Sequence, residues 1–85
     1  MSRPTAPGSL SELTRFIVEH IVDEPEAVAV SDSTDDGETV IVIEVGDDDR
    51  GAVIGRQGRT IRAIEQVVRA AAGKGPVPVI EVSDG

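Results

Sequence analysis

Two glycines, Gly55 and Gly58, flank Arg56 and Gln57 in the segment of this 85-residue chain whose residue types and spacing best indicate a chemical role. Because glycine has no side chain, a ligand can approach the main chain closely at both ends of such a loop. The residues after Gly58 have helical periodicity. The first amides of that helix and the positive end of its dipole favour a phosphate, and Arg56 adds a cation. The loop is therefore predicted to bind a phosphate-bearing ligand.

Two predicted helices hold this loop. The first is short, roughly Asp49 to Ile54, and follows an acidic run, Asp47 to Asp49, whose carboxylates we expect to accept hydrogen bonds from its first amides. The second is predicted to start at Arg59 and to stop at Gly73. The apolar stripe expected on the second helix comprises Ile61, Ile64, Val67, Val68 and Ala71.

One further helix is predicted near the start of the sequence. Ser9 to Glu12 has the form of a capping box, and helical spacing of apolar residues then continues until Pro25, which cannot extend a helix. The apolar residues at this spacing are Leu10, Leu13, Ile17 and Ile21. Residues 1–8 contain no apolar cluster and are predicted to be a flexible arm, which leaves residues 9–83 as the single domain.

Three strands complete the predicted fold. Ala27 to Ser31 and Thr39 to Val45 are expected to pair antiparallel across a flexible acidic loop, in which Asp35 to Gly37 are typical turn residues. The second strand is bulky on both faces, which is typical of a central strand. Val77 to Val82 resumes the strand pattern, and the crossover through two helices makes it parallel to Thr39 to Val45. The order α-β-β-α-α-β therefore predicts an α+β fold, a three-stranded mixed sheet with helices packed on one face.

The composition argues against several classes of function. The chain has no cysteine and a single histidine, His20, which excludes a thiolate or histidine-rich metal centre, so we expect neither a cofactor nor an enzyme. No apolar run approaches the roughly 20 residues needed to cross a bilayer, and no signal peptide is evident. We expect a cytoplasmic protein with no membrane partner and no small-molecule substrate.

Positive charge is concentrated in one part of an acidic chain. The formal net charge is −8, yet the segment from Arg50 to Lys74 contains six basic residues and only one acidic residue, Glu65. Such asymmetry is typical of a localised phosphate-contacting surface, but it is also compatible with a solvated helix whose arginines point outward. Charge alone leaves both interpretations open.

The stretch Val53 to Ile64 resembles the KH-domain signature, which has an apolar pair, a G-x-x-G loop and isoleucines at helical spacing. The element order resembles the bacterial, type II arrangement, and Ser9 to Val82 resembles the small single-KH proteins of the KhpA family. The resemblance implies that Gly55, Arg56, Gln57 and Gly58 clamp the backbone of single-stranded RNA. The groove and flanking contacts that it implies are Ile54, Arg59, Thr60, Ile61 and Arg62.

The same resemblance implies partners and a pathway. Members of this family are expected to act as homodimers or with the partner KhpB, also called Jag or EloR. The implied role is post-transcriptional regulation linked to cell shape.

Two other functions remain open from the residues. A protein-interaction module for dimerisation or docking, with weak or no intrinsic RNA binding, would agree with the acidic composition. A helix-turn-helix DNA-binding protein would also place arginines on the second of two helices joined by a glycine turn, although strand patterns flank this pair.

Overall fold

The computed structural model describes residues 9–83, so the predicted arm at residues 1–8 lies outside the described part of the chain. Its helices are α1 (Leu10–Glu19), α2 (Arg50–Ile54) and α3 (Arg59–Ala72). Its strands are β1 (Ala29–Asp35), β2 (Glu38–Glu44) and β3 (Val79–Val82). The predicted order α-β-β-α-α-β is therefore confirmed. None of the described helices is long and apolar enough to span a bilayer.

The three strands form one mixed sheet in the order β1-β2-β3. β1 pairs antiparallel with β2, and β2 pairs parallel with β3, which confirms the predicted pairing and the central position of β2. Ile41 and Ile43 of β2 are 1% and 0% exposed, whereas Val40 and Val42, on the opposite face, are half-buried. The helices therefore cover one face of the sheet, as predicted.

The connection between β1 and β2 is tighter than the flexible loop predicted from the sequence. The backbone of Asp35 already pairs with Glu38, so only Asp36 and Gly37 remain between the strands. Both residues have positive φ angles, 53° and 78°, as a type I′ turn requires. Because this turn matches the twist of paired strands, β1 runs four residues beyond its predicted end at Ser31.

Helix α1 begins where the sequence predicts, and its buried face includes the predicted Leu10 and Ile17 but is centred on Thr14 and Val18. The Oγ atom of Ser9 accepts a hydrogen bond from the amide of Glu12 at 3.1 Å, which confirms the N-terminal cap. The deepest side chains are Thr14 and Val18, both 0% exposed, whereas the predicted core residue Leu13 is only half-buried. The Thr14 hydroxyl donates to the Leu10 carbonyl oxygen at 2.8 Å. That bond allows a polar residue into the core, where apolar periodicity did not predict it.

The core is aliphatic and lies between the covered sheet face and the helices. Its buried residues are Val18, Val22, Val28, Ile41, Ile43, Val53, Ile64, Val68 and Ile80. The only aromatic residue of the sequence, Phe16, is 49% exposed. On α3 the buried stripe is narrower than predicted, because Val67 is 48% exposed and Ala71 is also exposed.

Val67 and Val68 offer a matched test of this packing. Val68, at 0% exposure, loses two buried methyl groups in Val68→Ala, so we expect the free energy of unfolding to fall by about 2–3 kcal/mol. Val67→Ala is expected to change it by less than about 0.5 kcal/mol, since the side chain is exposed and alanine favours helix. Urea denaturation measures both. Equal losses in the two variants would contradict the described orientation of α3.

Candidate nucleic-acid interface

The loop between α2 and α3 begins at a position that only glycine can occupy. Gly55 has φ 79° and ψ 166°, a region that side chains essentially exclude. A Cβ atom at this position would also lie 2.6 Å from the backbone nitrogen of Thr60 and would collide with the Thr60 side chain. Gly55 is therefore required both by its backbone conformation and by its close packing on Thr60.

The loop continues as a tight turn into α3. Gln57 and Gly58 have φ angles of 57° and 75°, and the Gly58 amide donates to the Gly55 carbonyl oxygen at 3.1 Å. Gly58 is the N-cap of α3 and contributes no side-chain acceptor to its first turn. The 14-residue helix thus begins without a side-chain cap at a turn of minimal side-chain bulk, although the Arg59 amide already donates to the Arg56 carbonyl oxygen. A helix N-terminus without a side-chain cap is suited to an oxyanion.

Three arginines surround this turn. Arg56 and Arg59 are exposed at the loop and at the first position of α3. Arg62 lies one helical turn further on, but its Nη1 atom is 3.2 Å from where a Cβ on Gly58 would lie. Its guanidinium group therefore extends back over the loop, because residues four apart share one face of a helix. Arg56 and Arg59 thus lie in the turn and directly after it, and the Arg62 guanidinium group reaches Gly58.

The isoleucines near the loop and Thr60 differ in how deeply they are buried. Ile54, the last residue of α2, is 38% exposed. Ile61 is half-buried and packs against the core, and Thr60 is half-buried against Gly55. Ile64 is 2% exposed and belongs to the core. Ile54 is therefore the member of this set most available to an incoming ligand.

Asp49 does not act as the helix cap predicted from the sequence. It precedes α2 but makes no capping hydrogen bond, and its side chain is buried at 4% exposure. Its two carboxylate oxygens accept hydrogen bonds from the amides of Asp23 and Glu24, at 3.0 and 3.1 Å. The local sequence pattern did not predict this contact, because the partner amides lie 26 and 25 residues away in the chain.

The described residues contain no obvious site for a metal ion. Within residues 9–83, no group of three or more histidine, cysteine, aspartate or glutamate side chains is placed to hold one.

A three-stranded mixed sheet covered on one face by helices, with a G-x-x-G turn between the second and third helices, defines a type II KH domain. Era, solved with MgGDPNP and nucleotides 1506–1542 of 16S ribosomal RNA, matches 96% of this chain with a TM-score of 0.54 and 18% identity. Aquifex aeolicus Era bound to GDP.AlF4- matches 98% of it with a TM-score of 0.51 and 17% identity. This chain spans only 35% and 36% of those two chains, and at such low identity the likeness shows the fold alone.

The sequence comparisons identify the family. Residues 11–81 match the family described as KhpA/KhpB, KH domain. The RNA-binding protein KhpA of Halalkalibacterium halodurans is 48% identical over 64 residues, which cover 71% of this chain and 84% of the relative. KhpA of Streptomyces coelicolor is 42% identical over 66 residues, covering 78% and 84%. The chain belongs to the KhpA/KhpB family of KH domains, which confirms the resemblance inferred from Val53 to Ile64.

Gly51 and Gly55 provide a matched pair for testing the loop. Gly55→Ala is expected to lower the free energy of unfolding by about 1–3 kcal/mol from backbone strain, and the collision with Thr60 adds to this loss. Gly51 lies inside α2 with open space around its Cα, so Gly51→Ala is expected to raise stability by about 0.5–1 kcal/mol. Thermal unfolding distinguishes the two. A Gly55→Ala protein as stable as wild type would refute the described loop geometry.

Proposed function

We propose that this chain binds single-stranded RNA and holds its sugar-phosphate backbone on the loop from Gly55 to Gly58. The observation that carries the proposal is the uncapped N-terminus of α3 at a turn of two glycines, with Arg56, Arg59 and Arg62 around it. Backbone amides and guanidinium groups are the usual donors to phosphate oxygens. The relatives named RNA-binding protein KhpA support the same ligand.

The charge distribution favours the approach of RNA from the side of the molecule that carries this loop. Within β1, β2 and β3 there is no lysine or arginine, whereas Arg50 to Arg69 carries five arginines on α2, α3 and the loop. A polyanion is attracted to the helical layer and repelled by the acidic remainder of a chain with net charge −8. This asymmetry favours one approach of the RNA, with the loop facing it.

We propose that the bases lie along a groove between the helix pair and β2. Exposed Ile54 and partly exposed Ile61 offer apolar contacts beside the loop. Because the sequence contains one phenylalanine and no tyrosine or tryptophan, base recognition does not rest on a platform of stacked aromatic rings. Phosphate contacts at the loop would supply affinity, and the groove would supply discrimination.

The double variant Arg56→Asp/Gln57→Asp tests the loop directly. We expect it to abolish measurable binding in a fluorescence-anisotropy titration of a short, mixed-sequence RNA, because it places two carboxylates where phosphate binds. The control is Gln66→Asp/Arg69→Asp on α3, which makes the same residue changes and the same charge change further from the loop. We expect that control to retain binding within a few fold.

The outcomes separate the candidate functions. Equal loss in both double variants would indicate that only overall charge matters, which would contradict a loop clamp. Binding by wild type that is insensitive to salt would also contradict it, since phosphate contacts weaken with salt. No RNA binding by wild type would favour the second candidate, a dimerisation or docking module. Circular dichroism establishes beforehand that all variants are folded.

We further propose that the chain acts as a homodimer or with a KhpB-type partner, also called Jag or EloR, in the cytoplasm. One KH unit contacts about four nucleotides, so its intrinsic affinity is expected to be low. A second RNA-binding unit raises the effective concentration of RNA at the first without any new contact. The physiological role within this proposal is post-transcriptional regulation linked to cell shape.

Avidity supplies a test of the homodimer. If two copies act together, an RNA with two binding sites is expected to bind at least about ten times more tightly than an RNA with one site. Sedimentation analysis gives the mass of the protein under the same conditions. A monomeric mass together with equal affinity for the two RNAs would contradict the homodimer.

A further inference from the structure

We propose that Asp49 is a positioning residue for the RNA-binding loop. It holds α2, and with it the first half of the loop, against the segment that joins α1 to β1. This inference rests on the proposed function of the loop but adds a residue that belongs neither to the G-x-x-G motif nor to the groove. The support of α2 matters for RNA binding because Gly55 follows directly on that helix.

Helix α2 cannot hold its own position. It has five residues, far fewer than an isolated helix needs to be stable in water. Its N-cap makes no side-chain capping bond. Three of its five residues, Gly51, Ala52 and Ile54, are exposed. The position of α2 must therefore come from tertiary contacts.

Two buried residues provide such contacts on one side of this short element. Val53 is 0% exposed in the core, and Asp49, four residues earlier, is 4% exposed. Residues four apart lie on the same face of a helical turn. Val53 anchors the end of α2 near the loop, and Asp49 anchors the opposite end. Without Asp49, we expect the N-terminal end of α2 to be held less firmly than the end at Val53.

The Asp49 anchor consists of two hydrogen bonds to the main chain of a distant segment. Its Oδ1 accepts from the Asp23 amide and its Oδ2 from the Glu24 amide. A second contact joins the same two segments, because the Oε1 atom of Glu24 lies 3.3 Å from where a Cβ on Gly46 would lie. The carboxylate thus uses both oxygens to fix the relative position of two loops that meet just before α2.

The two ends of the loop consequently have different supports. Gly58 is continuous with α3, a long helix whose Ile64 and Val68 are 2% and 0% exposed. Gly55 follows directly on α2, and it also contacts α3 at Thr60 and accepts a hydrogen bond from the Gly58 amide. Loss of the Asp49 anchor would leave only Val53 and these loop contacts to hold Gly55, so we expect Gly55 to shift relative to Gly58 while the rest of the core stays in place. Because phosphate binding requires amides and cations in a fixed geometry, such a shift would weaken RNA binding.

Asp49→Asn is the variant that tests this inference. Asparagine is nearly the same size, but it replaces one acceptor oxygen with an NH2 donor that would face a backbone amide donor. Ile80→Val, a conservative change at a core residue of β3 that is 8% exposed, serves as the control for general destabilisation. Both are compared with wild type at a temperature at which circular dichroism shows all three to be folded.

Three readouts are measured on each protein. The first is the NMR chemical shifts of the Gly55 and Gly58 amides. The second is the dissociation constant for the short RNA. The third is the slope of binding against salt, whose magnitude falls by about 0.7 for each phosphate of a single strand that the protein no longer neutralises. A residue that contributes only to stability would leave the salt slope unchanged in the folded protein.

We expect Asp49→Asn to shift the loop amides, to weaken RNA binding about tenfold or more and to reduce the salt slope, with Ile80→Val close to wild type. Unchanged loop shifts and unchanged binding in folded Asp49→Asn would overturn the inference. If Asp49→Asn does not fold, Asp49→Ser, with a smaller single acceptor, is measured under the same criteria.

The test also separates this inference from the proposed function. If wild type itself does not bind RNA, the proposed function fails, and the loop shifts alone decide whether Asp49 positions Gly55. If wild type binds RNA but the loop variant Arg56→Asp/Gln57→Asp binds equally well, the RNA site lies elsewhere and the inference fails as a statement about binding.

Discussion

The close packing of Gly55 on Thr60 is the contact on which the rest of the interface depends. It lets the chain leave α2 and enter α3 within four residues, because no side chain separates the two segments. After that sharp reversal, α3 begins at Gly58 with no capping side chain over its N-terminus. It also places Arg62 within reach of the turn. The affinity for an anion that we propose at this turn would thus come from backbone geometry first and from side-chain charge second.

The surrounding fold stabilises the conformation of the turn from Gly55 to Gly58. The positive φ angle of Gln57, which has a side chain, carries a conformational cost that neighbouring structure must offset, whereas Gly55 and Gly58 adopt positive φ angles readily. The core offsets this cost with branched aliphatic side chains and no described aromatic ring. Those side chains hold α3 against the sheet, and Val53 and Asp49 hold α2.

The separation of charge between the layers is equally a property of the fold. The sequence is acidic overall, and its strands carry aspartate and glutamate but no described basic residue. Folding the helices onto one face collects the arginines of Arg50 to Arg69 on that side. A chain with net charge −8 can in this way present a basic surface to RNA, because local potential near the loop matters more than total charge at short range.

Local patterns in the sequence by themselves determined the element order, the antiparallel pairing of β1 with β2, the cap at Ser9 and the G-x-x-G turn, because each depends on residues close together in the chain. The parallel pairing of β2 with β3 joins distant residues and followed from the general handedness of crossover connections. Tertiary structure alone decided the rest. Thr14 is buried and Val67 exposed because the directions from which neighbouring elements approach select the face that a helix buries. Asp49 bonds to distant amides instead of capping its own helix, since a carboxylate takes the donors that folding brings to it.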